Sequence, residues 1–527
     1  MCFYLLNSSK KSLRFLTVPL LVLFSALYFS QSYTIRQSGF LIDVIALENV
    51  HHFMLVLTPK LKRKLITFAV LTAIFCIVYA CCRRNEKFKI HRKLFAVSAI
   101  LMILQIPFKA FLPALSPVLD LTAKTANLTA PLISAYRFKT RKPDFIKQTV
   151  YNAPFPYKTF DAPRRPNVFI IFTEGLSART IGAYNPRFKG LTPNIDAFAK
   201  LSMKVENYYN HTAATEKGIL GQLTSFYPAK TRDFHPEIWE TPDIPENNYR
   251  SIAHILQENG YESYFLMATA GSTDNLVNIA RKSGFKHIVG TDQLRAATHS
   301  DKKEFMTDEE FFDTAARYLE QTPNDKPVFA AFYNLETHAF KDTAPDGTKY
   351  GDGSNSVLNT VANYDLRFGK FFDWFEKSKF ADDTILILTA DHAHFFEPPY
   401  IALMKSEPDY KPFFVDRIPL IIFAPFVNHP ETLDAKGRNS LALAPTILHY
   451  LGIQNAKNHF IGHSLFDSSP APTFNVSETG LVLFFTDENG VHEEKEIPDA
   501  MIKKWREAKE NVLFCIYTDR KSNINSN

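Results

Sequence analysis

Side chains that can ligate a metal ion follow three apolar runs of strand length in this sequence. They are Glu174 after 167–173, His338 after 327–333, and Asp391 with His392 after 384–389. Parallel strands bring their carboxyl ends to one edge of a sheet, where open α/β sheets bind ligands. Each of these residues alone is more often an ordinary loop or structural residue. Their convergence on one sheet edge predicts a metal centre.

The segment 210–218 offers a nucleophile for such a centre. It reads Asn-His-Thr-Ala-Ala-Thr-Glu-Lys-Gly, and Thr215 stands where a helix is expected to begin. Threonine is also a good helix cap, so a purely structural role is the alternative interpretation. A hydroxyl beside a divalent cation loses its proton near neutral pH, and a helix N-terminus favours a phosphate. We interpret Thr215 as both cap and nucleophile, with Thr212 as the rival.

Strand and helix patterns alternate from Pro166 onward, which predicts a mostly parallel sheet flanked by helices. The expected strands are 167–173, 261–268, 327–333, 384–389 and 419–424. The expected helices are 192–202, one that begins near 215, 308–321, 355–378 and 440–451. The tail carries one hairpin signal, 481–485 and 491–497 around Asp487-Glu-Asn-Gly490.

The first third of the 527-residue chain has the character of a membrane anchor. Residues 15–30, 65–82 and 94–115 are apolar, and the basic loop 83–93 is expected to be cytoplasmic. Three crossings then place the remainder outside the cytoplasm. A fourth apolar stretch, Gly39–Leu57, contains four polar side chains that are costly in lipid, and a helix lying at the outer membrane surface suits it better. These side chains are Asp43, Glu48, His51 and His52.

We therefore divide the chain into an anchor (1–115), a linker (116–165), an α/β catalytic domain (166–470) and a C-terminal hairpin and tail (471–527). The net charge of +6 is concentrated in the first third, without a compact basic and aromatic patch, so nucleic acid is not an expected partner. Of the five cysteines only Cys515 lies beyond the anchor, so the catalytic domain contains no internal disulfide.

Five motifs in a fixed order resemble the alkaline phosphatase and sulfatase superfamily. They are Thr173-Glu-Gly-Leu-Ser-Ala178, Thr192-Pro-Asn-Ile-Asp196, Thr215 twelve residues before Tyr227-Pro228, Glu336-Thr-His338, and Asp391-His392. Within the superfamily, the chain resembles the membrane-anchored branch of lipoteichoic acid synthases and phosphoethanolamine transferases. The similarity covers residues 166–455 and the anchor architecture.

The resemblance implies a membrane-bound enzyme that moves an alcohol-phosphate headgroup, phosphoethanolamine or phosphoglycerol, from a phospholipid to an envelope glycan such as lipopolysaccharide or to a lipid. Glu174, Thr215, Asp391 and His392 match the family's metal positions, with Zn²⁺ or Mn²⁺ as the expected ion. Thr215 would form a phospho-threonine intermediate, and His338 would contact the transferred phosphate or the leaving group. The implied location is the inner (plasma) membrane, with the catalytic domain periplasmic or extracellular.

Two other functions remain to be weighed. A hydrolase of phosphodiesters, phosphate or sulfate esters within the same superfamily needs no lipid-facing anchor, so the first third of the chain favours the transferase. A non-catalytic scaffold is disfavoured, because a degenerate site would be expected to have lost a ligand.

The sequence departs from the family pattern at three places. Ala393 stands where the family has glycine after Asp-His, and Ala442 replaces the aspartate of Asp-Leu-x-Pro-Thr near a helix start. The Cys/Ser-x-Pro-x-Arg signature of true sulfatases is absent, which disfavours sulfate esters as substrates.

Overall fold

A computed structural model describes residues 149–150, 156–157, 165–213, 215–228, 250–270, 275–297, 306–344, 347–467, 474–479 and 482–517. The expected membrane crossings and the stretch Gly39–Leu57, with its four polar side chains, lie outside these residues. Over the ranges just given, no helix combines the length and the apolar character that a membrane crossing requires.

The strands of the described residues are β1 (Thr149–Val150), β2 (Asn167–Thr173), β3 (Met203–Glu206), β4 (Glu262–Met267), β5 (His287–Val289), β6 (Val328–Tyr333), β7 (Thr384–Ala390), β8 (Leu420–Phe423), β9 (Thr432–Asp434), β10 (Lys457–Asn458), β11 (Asn475–Thr479), β12 (Val482–Asp487) and β13 (Gly490–Glu493). The helices are α1 (Pro193–Lys200), α2 (Thr215–Thr224), α3 (Ile252–Glu258), α4 (Asn275–Lys282), α5 (Thr291–Ala297), α6 (Asp308–Glu320), α7 (Ser356–Phe375), α8 (Pro398–Met404), α9 (Leu443–Tyr450) and α10 (Ile502–Tyr517).

An eight-stranded sheet with the order β5-β4-β6-β2-β7-β8-β3-β9 forms the centre of the domain. The neighbours from β5 to β7 are parallel, and β8 runs antiparallel to both β7 and β3. The prediction of a mostly parallel sheet with helices is therefore confirmed. The strands β6, β2 and β7, whose carboxyl ends were expected to carry the site, are direct neighbours.

The three central strands are buried along their whole length, as their continuous apolar sequences predict. Aromatic rings fill the space between the sheet and its helices. Phe169 of β2 contacts Phe332, Phe375 and Phe380 at centroid distances of 5.6, 6.2 and 5.0 Å. Burying one such ring stabilises the fold by about 1.5–3 kcal/mol, so this core holds the site-bearing strands firmly.

Helix α7 covers the same region of the sheet with a broad apolar face. Phe198 of α1 packs edge-on against Phe368 and Phe372 of α7 at 5.2 and 4.9 Å. The Asn355 side chain accepts hydrogen bonds from the amides of Val357 and Leu358, which fixes the start of α7. The expected helix 355–378 is present within a few residues of its predicted ends.

The C-terminal segment forms a second sheet with the order β11-β12-β13, followed by α10. The predicted hairpin corresponds to β12 and β13, which pair antiparallel around residues 487–490. Trp505 of α10 is 1% exposed and contacts the rings of Phe474 and Phe485. Residues 149–150, which belong to the segment predicted to be a linker, pair antiparallel with Lys457–Asn458.

Candidate metal and nucleophile site

Two neighbouring strands place the predicted carboxylates side by side. Thr173 of β2 is paired with Ala390 of β7, so the residues that follow, Glu174 and Asp391, leave the sheet at the same point. The amide of Asp391 donates to the carbonyl of Thr173 at 3.3 Å. Potential ligand atoms of Glu174, Asp391 and His392 all lie within 4.8 Å of one another, and the three side chains are buried.

Asp391 is oriented by backbone groups on one side only. Its Oδ1 accepts hydrogen bonds from the amides of Gly175 and His392, each at 2.8 Å. Gly175 has φ +55°, a conformation that glycine adopts without strain. The other oxygen, Oδ2, is buried and has no hydrogen-bond partner among the described residues. It is 3.4 Å from Nε2 of His392 and is available to ligate a cation in this cluster.

The two carboxylates experience different electrostatic surroundings. Burial raises the pKa of Asp391 well above its ordinary value, and the charge of Glu174 raises it further. Burial also acts to raise the pKa of Glu174, but His338, His392 and a hydrogen bond from Tyr333 outweigh it and lower that pKa to about 2. A cation between the two carboxylates would remove their repulsion. The donor set and the orphaned oxygen therefore fit a divalent metal ion.

Both predicted histidines are held with one ring nitrogen available to the site. Nδ1 of His392 donates to the carbonyl of Ala393 at 2.8 Å, and Nδ1 of His338 donates to the carbonyl of Ala339 at 2.8 Å. This leaves Nε2 of each ring as an acceptor, the form that binds a metal or accepts a proton. Nε2 of His392 lies 3.6 Å from Oε1 of Glu174. Burial lowers the pKa of His338 despite the nearby charge of Glu174, so this ring is neutral over a wider pH range.

Thr215 reaches the same carboxylates from the first residue of α2. Its Oγ1 donates to Oε2 of Glu174 at 2.9 Å, and the hydroxyl of Tyr333 donates to the same oxygen at 2.5 Å. The rival Thr212 is directed elsewhere, because its Oγ1 contacts Oε2 of Glu478 at 3.3 Å. Of the two threonines, the structure thus brings only Thr215 to the metal cluster.

Helix α2 is packed directly against the strand end that carries Asp391. A Cβ on Gly218 would lie 2.2 Å from the backbone oxygen of Asp391, so only glycine permits this approach. Nε2 of Gln222 donates to the carbonyls of Ala390 and Asp391 at 2.9 and 3.2 Å. The spacing between Thr215 and the ligands is therefore set by backbone contact.

Gly218→Ala is expected to move α2 away from the sheet and to lengthen the contact between Thr215 and Glu174. Overpacking of this kind costs about 1–3 kcal/mol of stability, and the displacement should lower turnover by about a hundredfold. Melting temperature and the initial rate of the full-length variant measure the two effects. Turnover at the wild-type rate would show that the close approach at Gly218 does not position Thr215.

The loop before Thr215 is fixed by residues that are distant in sequence. The Asn210 side chain donates to the carbonyls of Thr212 and Phe414 at 2.8 and 2.9 Å and accepts from the amide of Asp416. The amide of Glu478, in β11, donates to the carbonyl of His211 at 2.8 Å. The C-terminal sheet thus holds the segment that presents Thr215.

Besides Tyr333, three residues that orient Glu174, directly or through a neighbour, were missed from the sequence. Asn334 accepts from the amide of Glu174 at 2.9 Å, and the Thr337 hydroxyl donates to the carbonyl of Glu174 at 2.6 Å. Asp308 accepts a hydrogen bond from the Asn334 side chain at 2.9 Å. The position of Asn334 directly after β6 was a usable signal, whereas no local pattern connects Asp308 with a residue 26 positions away.

The two alanine departures are accommodated by the backbone. Ala393 is fully buried and is not among the described residues with positive φ, so its methyl group causes no backbone strain. At the second departure, the Asn439 side chain accepts from the amide of Leu441 and caps the short helix Ser440–Ala442 that leads into α9. An asparagine three residues earlier therefore takes over capping near the position of the missing carboxylate.

Comparison with known proteins gives one family match and several relatives. The family model described as Sulfatase matches residues 166–453. Lipoteichoic acid synthase 2 of Bacillus subtilis is 25% identical over 219 residues, which cover 40% of this chain and 33% of the relative. The chain therefore spans about a third of the length of that curated relative.

Two solved structures show the same fold. One is an alkaline phosphatase superfamily protein from Vibrio parahaemolyticus, with 21% identity, a TM-score of 0.54, and coverage of 73% of this chain and 94% of its own. The other is a lipoteichoic acid synthase from Listeria monocytogenes, with 17% identity, a TM-score of 0.55, and coverage of 72% and 96%. At these identities the likeness concerns the fold.

Proposed function

We propose, from the premise that this chain belongs to the sulfatase family of the alkaline phosphatase superfamily, that it is a metal-dependent transferase. It would move an alcohol-phosphate headgroup, phosphoethanolamine or phosphoglycerol, from a membrane phospholipid to an envelope glycan such as lipopolysaccharide, or to a lipid. The observation that carries the proposal is the hydroxyl of Thr215 at a helix N-terminus, 2.9 Å from a buried carboxylate of the metal cluster. The curated relative, a lipoteichoic acid synthase, is consistent with this class of reaction.

The residues of the cluster would hold the ion and the substrate phosphate. Glu174, Asp391 and His392, together with Thr215, are the proposed ligands. A bound divalent cation would polarise the phosphoryl oxygens and lower the pKa of the neighbouring hydroxyl. Two carboxylates, a hydroxyl and one imidazole suit Zn²⁺ or Mn²⁺. The amides at the start of α2 would add positive potential where the phosphate arrives.

The first half of the reaction attaches the headgroup to the enzyme. Oγ1 of Thr215 attacks phosphorus, the Thr–O–P bond forms, and the bond from phosphorus to the diacylglycerol oxygen breaks. Glu174 already accepts the hydrogen bond from Thr215, so it orients the hydroxyl for this attack. The proton that the Thr215 hydroxyl loses must reach the diacylglycerol oxygen as that oxygen leaves. We assign this transfer to Nε2 of His338, which is not used by the backbone contact at Nδ1: the neutral ring takes the proton from Thr215 and then gives it to the leaving oxygen.

The second half transfers the headgroup to the acceptor. An acceptor hydroxyl attacks phosphorus, its oxygen–phosphorus bond forms, and the Thr–O–P bond breaks. The acceptor loses a proton and Thr215 regains one, so the enzyme is restored. His338 in its neutral form can take the acceptor proton, which agrees with the lowered pKa of this ring.

The location follows from the same proposal. A phospholipid donor requires the catalytic domain to work at a membrane, and the apolar segments of residues 1–115 would supply the anchor. A cytoplasmic basic loop 83–93 would put the catalytic domain on the periplasmic or extracellular side, at the inner (plasma) membrane. These assignments depend on the sequence of the first 115 residues.

The test uses the full-length protein in vesicles that contain phosphatidylethanolamine and phosphatidylglycerol, with purified lipopolysaccharide as acceptor. Transfer predicts release of diacylglycerol and an equal gain of phosphoethanolamine or phosphoglycerol mass on the acceptor. Protein treated with a chelator is the control and should release none. Diacylglycerol release with only free headgroup phosphate, and no acceptor adduct, would instead identify a phosphodiesterase of the same family.

A further inference from the structure

A cavity with a volume of about 450 Å³ is lined by α10, by the segments that follow β9 and β10, and by the start of β11. This volume is in the range of small-molecule sites, which run from about 300 to 1,000 Å³. Tyr227, three residues beyond the end of α2, forms part of its wall. The metal cluster contributes no lining residue, so the cavity is separate from the catalytic centre.

Arg438 is a buried cation in the wall of this cavity. The residue is 7% exposed, and its Nε is buried without a hydrogen-bond partner. Its side chain makes one weak contact, from Nη1 to the carbonyl of Ala435 at 3.4 Å. Within the described ranges it forms no ion pair, whereas Arg179 is paired with Asp416 at 2.7 Å. The charges of Asp467 and Asp434 act on Arg438 from a greater distance, but burial outweighs them and lowers the pKa of the guanidinium. An anion in the cavity would therefore stabilise this cation.

Helix α10 supplies a second cation and one carboxylate to the lining. Lys504 and Glu507 lie one turn apart on α10, and both residues line the cavity. Phe474, Ile461 and Val512 provide apolar surface beside them. A ligand for this arrangement needs an anionic end for Arg438 and Lys504, a short carbon skeleton, and a donor group for Glu507.

We propose that this cavity binds a phosphate monoester of a small polar alcohol. The phosphate would lie between Arg438 and Lys504, and the hydroxyl or ammonium end would face Glu507. A phosphate suits this place better than a carboxylate, because its three oxygens can accept hydrogen bonds from donors on two different elements of the lining. This site goes beyond the proposed transferase function and does not depend on it.

The cavity wall is joined to the end of the nucleophile helix. Oγ of Ser225, the residue after α2, donates to the carbonyl of Leu441 at 2.6 Å and accepts from the amide of Gly462 at 3.1 Å. The amide of Ile461 donates to the carbonyl of Ser225 at 2.9 Å. A ligand in the cavity therefore contacts the elements that anchor α2.

The test is calorimetric titration of the full-length Thr215→Ala protein in detergent with glycerol 3-phosphate. A chelator is present, which removes phosphate binding at the metal cluster. We expect one saturable site, no binding of neutral glycerol, and an affinity that falls about tenfold to a hundredfold in Arg438→Gln and Lys504→Gln. Lys503→Gln, an exposed neighbour outside the cavity, is the matched control and should bind as the parent does.

Melting temperatures distinguish a binding role for Arg438 from a structural one. Without ligand, Arg438→Gln should be as stable as the parent or more stable, because it removes an unpaired buried charge. Two results would overturn the site: no binding of glycerol 3-phosphate to the metal-free protein, or equal affinity in the Lys504→Gln and Lys503→Gln proteins. Lys504 is exposed, so this comparison holds even where Arg438→Gln fails to fold.

Discussion

Thr215→Ala is expected to abolish headgroup transfer, with a loss on the order of 10⁴-fold or more, as for other catalytic nucleophiles. The hydroxyl that donates to Glu174 at 2.9 Å would be gone, and no covalent intermediate could form. Metal binding should persist, because Glu174, Asp391 and His392 remain. Transfer assays in vesicles and elemental analysis of the purified protein measure the two properties. Thr215→Ser, which keeps a hydroxyl, should recover part of the activity.

Thr212→Ala is the matched control for the nucleophile. This change removes the 3.3 Å contact with Glu478 and is expected to cost about 1–3 kcal/mol of stability while leaving substantial transfer. Intact-mass and peptide analysis after incubation with donor lipid, quenched at low pH, should find the phosphate adduct on Thr215 only. An adduct on Thr212, or transfer by Thr215→Ala, would move the nucleophile elsewhere in segment 210–218.

Asp391→Asn is expected to remove both the metal and the activity from a folded domain. Asparagine Oδ1 can still accept from the amides of Gly175 and His392, so the backbone arrangement is preserved. The lost charge should weaken metal affinity by more than about a hundredfold, since even outer partners of a ligand contribute 10–100-fold. Metal content, transfer rate and the melting temperature with and without chelator are the measurements.

Without metal, Asp391→Asn is expected to be at least as stable as the wild type, although it is the variant that loses the metal when metal is present. Because burial and Glu174 raise the pKa of Asp391, the chelated wild type loses stability as pH rises above about 3.9, the ordinary aspartate value, towards the raised folded pKa. Asparagine does not ionise, so chelated Asp391→Asn should melt at or above the wild-type temperature at neutral pH. The control is Asp365→Asn, which changes a buried carboxylate that accepts hydrogen bonds from Asn194 and Ile195. This carboxylate is not a proposed ligand, so the variant should still bind the metal. Full metal occupancy in Asp391→Asn would remove Asp391 from the ligand set.

The parts of the fold that could be predicted are those whose sequence pattern is strong. The strands β2, β6 and β7 are continuous apolar runs because both faces are covered, and their ends were placed within about a residue. The short strands β3, β5 and β9 were missed, because three or four residues of mixed polarity carry no clear period. Helix α10 was missed as well. Its apolar residues contact the C-terminal sheet, and without that partner their spacing in the sequence does not identify a buried helix face.

The candidate site divides in a similar way. Glu174, Asp391, His392 and Thr215 could be found because each follows a strand or begins a helix, and parallel topology brings those positions together. The contacts of Tyr333 with Glu174 and of Glu478 with the loop at Thr212 could not be found. They join positions separated by 159 and 266 residues, and only the folded chain determines such pairs.

The pairing of β11 with the loop before Thr215 also concerns how the enzyme is made. Thr212 and Glu478 form an isolated parallel bridge, and Glu478 donates its amide to His211. A nascent chain that has emerged only to residue 470 contains every proposed metal ligand but lacks the strand that holds the nucleophile loop. During synthesis, the proposed centre could therefore bind a cation before its threonine is fixed in place. Catalysis would begin only after β11 has been translated and has paired with this loop.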